Sequence, residues 1–167
     1  MRKDKWQDLP KTCDLVSSAL VGFSIVIIKQ RFIYMFEGLA IVRRLDILKL
    51  RNGWHKIQLQ TCFNGSGCGV FPLRVQGEQI SFLVFGGYNM FNKFEKKSLV
   101  FTTTLSDFKN SQFELLETEL NCEDGFPSNM CWELSEGKTA AVGEKALHLF
   151  EGGKWVRGDV DKGEGET

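Results

Sequence analysis

Three stretches of this chain repeat one pattern, an apolar run of strand length that ends in an aromatic residue, one spacer and a glycine. They are Arg31-Phe-Ile-Tyr-Met-Phe-Glu-Gly38, Ile80-Ser-Phe-Leu-Val-Phe-Gly-Gly87 and Lys145-Ala-Leu-His-Leu-Phe-Glu-Gly152. Aligned on Phe36, Phe85 and Phe150, the pattern recurs after 49 and 65 residues. Each copy follows another apolar run and a polar break: Phe23–Ile28 before Lys29 and Gln30, Val70–Val75 before Gly77 and Glu78, Thr139–Val142 before Gly143 and Glu144. Two apolar runs around a short polar break predict a β-hairpin. A helix over 138–152 is the competing reading, with Gly152 and Gly153 as its cap. Gly143 in its middle and the match to the two earlier hairpins argue against it.

A second element recurs beside the first. An aromatic residue is followed three positions later by an aliphatic one, as Trp6 and Leu9, Trp54 and Ile57, Phe113 and Leu116. Between the two elements lies a further strand-like run, Val42–Leu50 in one unit and Ser98–Leu105 in the next. Each complete unit therefore reads as four antiparallel strands, a to d from the inside outward. Four strands per repeat at a period of roughly 40–50 residues predict propeller blades.

The residues at these positions resemble a kelch repeat. That family closes its b strand with a double glycine, places Tyr-Asp on strand c and Trp on strand d. Here Phe36-Glu37-Gly38, Leu45-Asp46-Ile47 and Trp54 follow that order, and Phe85-Gly86-Gly87-Tyr88-Asn89 carries the double glycine itself. The resemblance spans residues 6–156. It departs from the pattern at Glu37-Gly38 and Glu151-Gly152, at Leu45 in place of Tyr, and at Phe113 in place of Trp. Where a double glycine is lost, a looser turn is expected. The implied fold is all-β: antiparallel four-stranded kelch-type blades in an incomplete β-propeller, two full blades and a partial one.

The strand count leaves both ends unfinished. Residues 1–10 read as a stray outer strand around Trp6, residues 11–157 as the blades, and residues 158–167 as a disordered acidic tail. The last blade, near 138–157, has strands a to c and an open edge where d belongs. Three blades do not close a ring, which takes four to eight. A second copy, another chain or a further segment of the protein is therefore expected to complete it, in the first two cases by edge-strand addition. Charge favours such a contact. Residues 1–60 hold 11 Lys/Arg against five Asp/Glu, and residues 121–167 hold five against ten. No single basic face gathers, so nucleic acid is not an expected partner.

The longest apolar run, Leu20–Ile28, is too short for a membrane helix of about 20 residues, and no membrane partner is expected. Five cysteines without a CxxC pair suit reduced thiols in a cytoplasmic setting. Cys13, Cys62 and Cys122 follow the three d-strand signals, with Cys68 and Cys131 further along two of the same loops. Either they are small apolar residues where the chain turns inward, or they gather for zinc; the spacing matches no known finger, and no metal site is assigned. The two histidines, His55 and His148, read as a solvent-facing and a packed residue. With no Ser-His-Asp order, carboxylate pair or phosphate-loop fingerprint, neither a catalytic residue nor a cofactor is assigned.

What remains is a protein-binding module, a scaffold or adaptor rather than an enzyme. In an a-b-c-d blade the b–c and d–a loops share one face. Here they would display Phe63, Tyr88, Met90, Phe91, Phe94, Phe126 and Trp132, with Asn89 among them. Aromatic and Met side chains on loops are typical interface anchors. A structural subunit that fills a gap in a large assembly is the alternative, and a propeller enzyme a more distant one.

Overall fold

A computed structural model describes residues 24–37, 41–58, 67–88, 98–115, 131–135, 138–142 and 147–158. Within them the chain forms three four-stranded antiparallel sheets, each a simple meander. The first holds β1 (Ser24–Ile28), β2 (Phe32–Glu37), β3 (Ile41–Asp46) and β4 (His55–Gln58). The second holds β5 (Gly69–Gln76), β6 (Gln79–Phe85), β7 (Ser98–Thr104) and β8 (Gln112–Leu115). The third holds β9 (Cys131–Ser135), β10 (Lys138–Val142), β11 (Leu147–Glu151) and β12 (Lys154–Gly158). The only helical pieces among the described residues are 3₁₀ turns over Ile47–Asn52 and Phe108–Asn110. The strand expected over Val42–Leu50 therefore ends early. Asp46 caps the first of these turns by accepting from the Leu48 N–H at 3.0 Å.

The sheets stack face to face in chain order, with the second in the middle. Alternate residues of β2 and β6 fill the first interface, where Tyr34, Phe36, Phe82 and Phe101 are fully buried. Their rings meet at centroid distances of 5.0 Å (Tyr34–Phe82), 5.4 Å (Phe36–Phe82), 5.4 Å (Phe36–Phe101) and 6.0 Å (Phe82–Phe101). Tilted and edge-to-face contacts of this kind are the favoured geometry of aromatic pairs. The intervening residues of the same central sheet, Phe71, Leu83 and Phe85, face the third sheet and meet Ala141, Phe150 and Trp155. The run Ile80-Ser-Phe-Leu-Val-Phe85 lacks apolar–polar alternation because both faces of β6 are covered. Gly69 is required opposite Phe85, since a Cβ there would lie 2.6 Å from the ring. Pro72 is tolerated because β5 is an edge strand and its register shifts between Pro72 and Arg74.

First strands meet first strands: β1 lies against β5, and β5 against β9. Ser24 Oγ donates to the Cys68 carbonyl at the first of these contacts. This arrangement corrects the expected third unit. It is not a three-strand remnant, because β9 pairs with β10 and completes a four-stranded sheet. By its contact with β5, β9 holds the position that β1 and β5 hold in their sheets. Thr139–Val142 and Leu147–Phe150 are then second and third strands, and Phe150 is not the counterpart of Phe36 and Phe85. A hairpin pattern is the same for any two consecutive strands of a meander, so it cannot report which two they are.

The glycines correct a second expectation. Gly86 and Gly87 after β6 have φ of 64° and 83°. Gly152 and Gly153, between β11 and β12, have 59° and 80°, a tight two-residue turn rather than a loose one. Ile25 and Ile27 point away from the first interface and are 51% and 62% exposed, and Val75 is 39% exposed. The expected stray strand over 1–10 lies outside the described residues; of the tail expected over 158–167, Gly158 ends β12 and the rest lies outside them.

Candidate functional site

In a meander, the turns joining first to second and third to fourth strands leave at the same end. In the first two sheets these turns are stitched together. Lys29 Nζ, in the β1–β2 turn, donates to the Gly77 carbonyl in the β5–β6 turn at 2.5 Å. The Leu105 N–H donates to the Glu78 carbonyl at 3.0 Å, and the Ile47 N–H to the Arg31 carbonyl at 3.0 Å. Between them opens a cleft of about 360 Å³.

Two arginines form its floor, and both are held in place. Arg31 donates through Nε and Nη2 to the two carboxylate oxygens of Asp46 at 3.0 and 2.7 Å, a bidentate pair. Its guanidinium lies 4.6 Å from the centre of the Phe32 ring. Arg44 lies over the rings of Phe32 and Phe108 at 5.4 and 4.8 Å. Its Nη1 donates to the carbonyls of Thr104 and Leu105 at 3.3 and 2.9 Å, so it bridges the two sheets. Arg31 hydrogen bonds hold the Asp46 carboxyl below the usual carboxylate range, and Asp46 raises the Arg31 pKa in return. Burial pushes the nearby Tyr34 phenol up, an effect that Arg44 partly offsets. Among the described residues the buried Tyr34 hydroxyl has no hydrogen-bond partner.

Lys49, Asn52 and His55 of the first sheet, and Glu78 and Ser106 of the second, complete the walls. His55 is exposed, as expected of its place at the start of β4, and His148 is buried in β11. None of the cleft residues stood out as a site in the sequence. The available signal was Arg43-Arg44 inside an apolar strand. Alternation sends the two to opposite faces, Arg43 to a buried ion pair with Glu37 and Arg44 to the cleft.

Tyr88, the described loop residue of the expected contact set, belongs to the other end of the stack. It follows β6 after Gly86 and Gly87 and is 43% exposed. Glu78 precedes β6, and the rise of that seven-residue strand separates the two ends by roughly 20 Å. Phe63, Asn89, Met90, Phe91, Phe94 and Phe126 lie outside the described residues. Trp132 falls within β9 rather than on a loop, and its side chain is outside the described ones. Cys13, Cys62 and Cys122 likewise lie outside them, whereas Cys68 is buried in the first interface. Among the described residues no group of three His, Cys, Asp or Glu side chains gathers. No described helix is long and apolar enough to cross a membrane.

The outer faces of the stack carry apolar side chains as well. Val156 of the third sheet is 55% exposed beside Leu149 on the side away from the second sheet, and Leu134 of β9 is 59% exposed. No family model matches the chain, and no curated protein matches it.

Proposed function

We propose that the chain is an open arc of a kelch-type propeller and acts as a protein-interaction module, a scaffold or adaptor without catalytic chemistry or a cofactor of its own. The observation that carries this reading is the order of contacts. Four-stranded meanders stack in sequence with β1, β5 and β9 adjoining, as blades arranged around an axis would. Two local features agree with it: Trp54 stands immediately before the fourth strand of its sheet, and both glycines after β6 take positive φ. The reading takes three sheets as three blades, with partners of protein nature and a cytoplasmic setting. Tyr88 and its loop neighbours supply the contact face.

The exposed apolar residues on both outer faces favour a second version, in which another chain or a second copy covers them and the protein fills a gap in a larger assembly. Size-exclusion chromatography with light scattering separates the two. An adaptor runs as a stable monomer, a two-copy ring as a discrete dimer, and a gap-filler aggregates without its partner. Small-angle scattering on the dispersed species tests the arc itself: a profile inconsistent with three sheets stacked around an axis would refute the propeller.

A further inference from the structure

The turn-end cleft between the first two sheets has no role in the interaction face at the opposite end, and its chemistry is distinct. We propose that it binds a phosphate monoester. The charge balance points to an anion. Asp46 accepts from Nε and Nη2 of Arg31 and from the Leu48 N–H, and the Arg31–Asp46 pair is neutral as a whole. Of the remaining charged side chains, Arg44 and Lys49 are cationic and Glu78 alone is anionic. His55, Asn52 and Ser106 add neutral groups able to donate.

The donor set fits three oxygens better than two. A phosphate monoester presents three strong acceptor oxygens, whereas a carboxylate presents two in one plane. The donors here come from separate strands and turns on both sheets, so they approach from several directions. Arg44 is the fixed point. Its guanidinium plane is set by Phe32 and Phe108, and two backbone carbonyls orient one end of it. A pre-positioned guanidinium loses less freedom when it binds than a mobile lysine does. A volume of about 360 Å³ accommodates a phosphoryl group together with a small organic portion.

The cleft would take this ligand whether or not the three sheets belong to a propeller, and the test does not depend on that reading. The full-length chain, labelled with ¹⁵N, is titrated in separate experiments with O-phosphoserine, inorganic phosphate and glutamate, and amide shifts are followed by NMR. Phosphoserine is expected to give saturable shifts around residues 47–55 and 104–106. Its affinity should exceed that of inorganic phosphate, and that of glutamate by several-fold. Arg44→Gln removes the fixed donor but also a bridge between sheets, so two exposed variants carry the decision. Lys49→Gln should weaken phosphoserine binding, and Glu78→Gln should tighten it, each by roughly 2- to 5-fold. Absence of saturable shifts, glutamate binding as tightly as phosphoserine, or an unchanged affinity in either variant would overturn the assignment. Inorganic phosphate binding as tightly as phosphoserine would overturn the ester.

Discussion

Truncating Phe82 to alanine should cost about 3–5 kcal/mol, the range for a fully buried phenylalanine in a core that cannot collapse. The figure follows from what surrounds the ring. Phe82 is completely buried and meets Tyr34, Phe36 and Phe101 at 5.0, 5.4 and 6.0 Å. Removing it forfeits the burial of a phenyl ring and three favourable ring contacts, and leaves a void that these neighbours cannot fill. Against a total stability of about 5–15 kcal/mol, this puts the variant near its limit. Phe85→Ala should cost as much, but through the other interface, where its ring meets Trp155 at 4.8 Å. Ile27→Ala, at an exposed position, should stay within about 0.5 kcal/mol of the parent. Urea unfolding followed by tryptophan fluorescence and circular dichroism measures all three. Leucine variants, which keep the double mutants folded, then test the layering. Phe36→Leu and Phe82→Leu should couple by about 0.5–1.5 kcal/mol. Phe36→Leu and Phe85→Leu, on opposite sides of the central sheet, should add within about 0.5 kcal/mol. Equal coupling in the two pairs, or a Phe82→Ala protein as stable as the Ile27→Ala control, would refute the stacked arrangement.

Gln30→Gly should raise stability by roughly 0.5–1 kcal/mol in denaturant titrations, because Lys29 and Gln30 hold φ of 51° and 52° and glycine removes the left-handed penalty. Gly69→Ala should lower it by about 1–3 kcal/mol and shift the Trp155 emission, since the new methyl group displaces the Phe85 ring. The paired Asp46 carboxyl is easier to ionise in the folded than in the unfolded chain, so its contribution is present above the ordinary carboxylate pKa and disappears as pH falls through the lowered folded value. Urea midpoints from pH 6 to pH 2.5 should therefore drop less steeply below about pH 4 in Asp46→Asn than in the parent.

The strands and most of the core were legible in the sequence, because an apolar run between polar breaks has few other uses in an all-β chain. Phe32, Phe36, Ile80, Phe82 and Phe85 lie in predicted hairpins and are buried. The frame of the third unit was not legible. Cys131-Trp-Glu-Leu-Ser135 is short, carries Glu133 at its centre, and falls in a long polar stretch, so its pairing with β10 is fixed by neighbours rather than by its own pattern. The cleft was hidden for a different reason. Arg31 and Asp46 are 15 residues apart, and Arg44 and Leu105 are 61 apart. Only the register of β2 with β3 and the packing of one sheet on the next bring these groups to a common wall.

The two aromatic cores share no residue, and the central sheet alone contributes to both. Their stabilities are therefore linked in series, as in a linear array of repeats. Opening the third sheet sacrifices the Phe85–Trp155 layer and leaves the Tyr34–Phe82 layer intact; opening the first does the reverse. Neither opening unpairs β6, whose backbone is bonded along both edges to β5 and β7 of its own sheet. Native-state hydrogen exchange should accordingly rank the chain from its outer strands inward, with the amides of Phe82 to Val84 last to exchange.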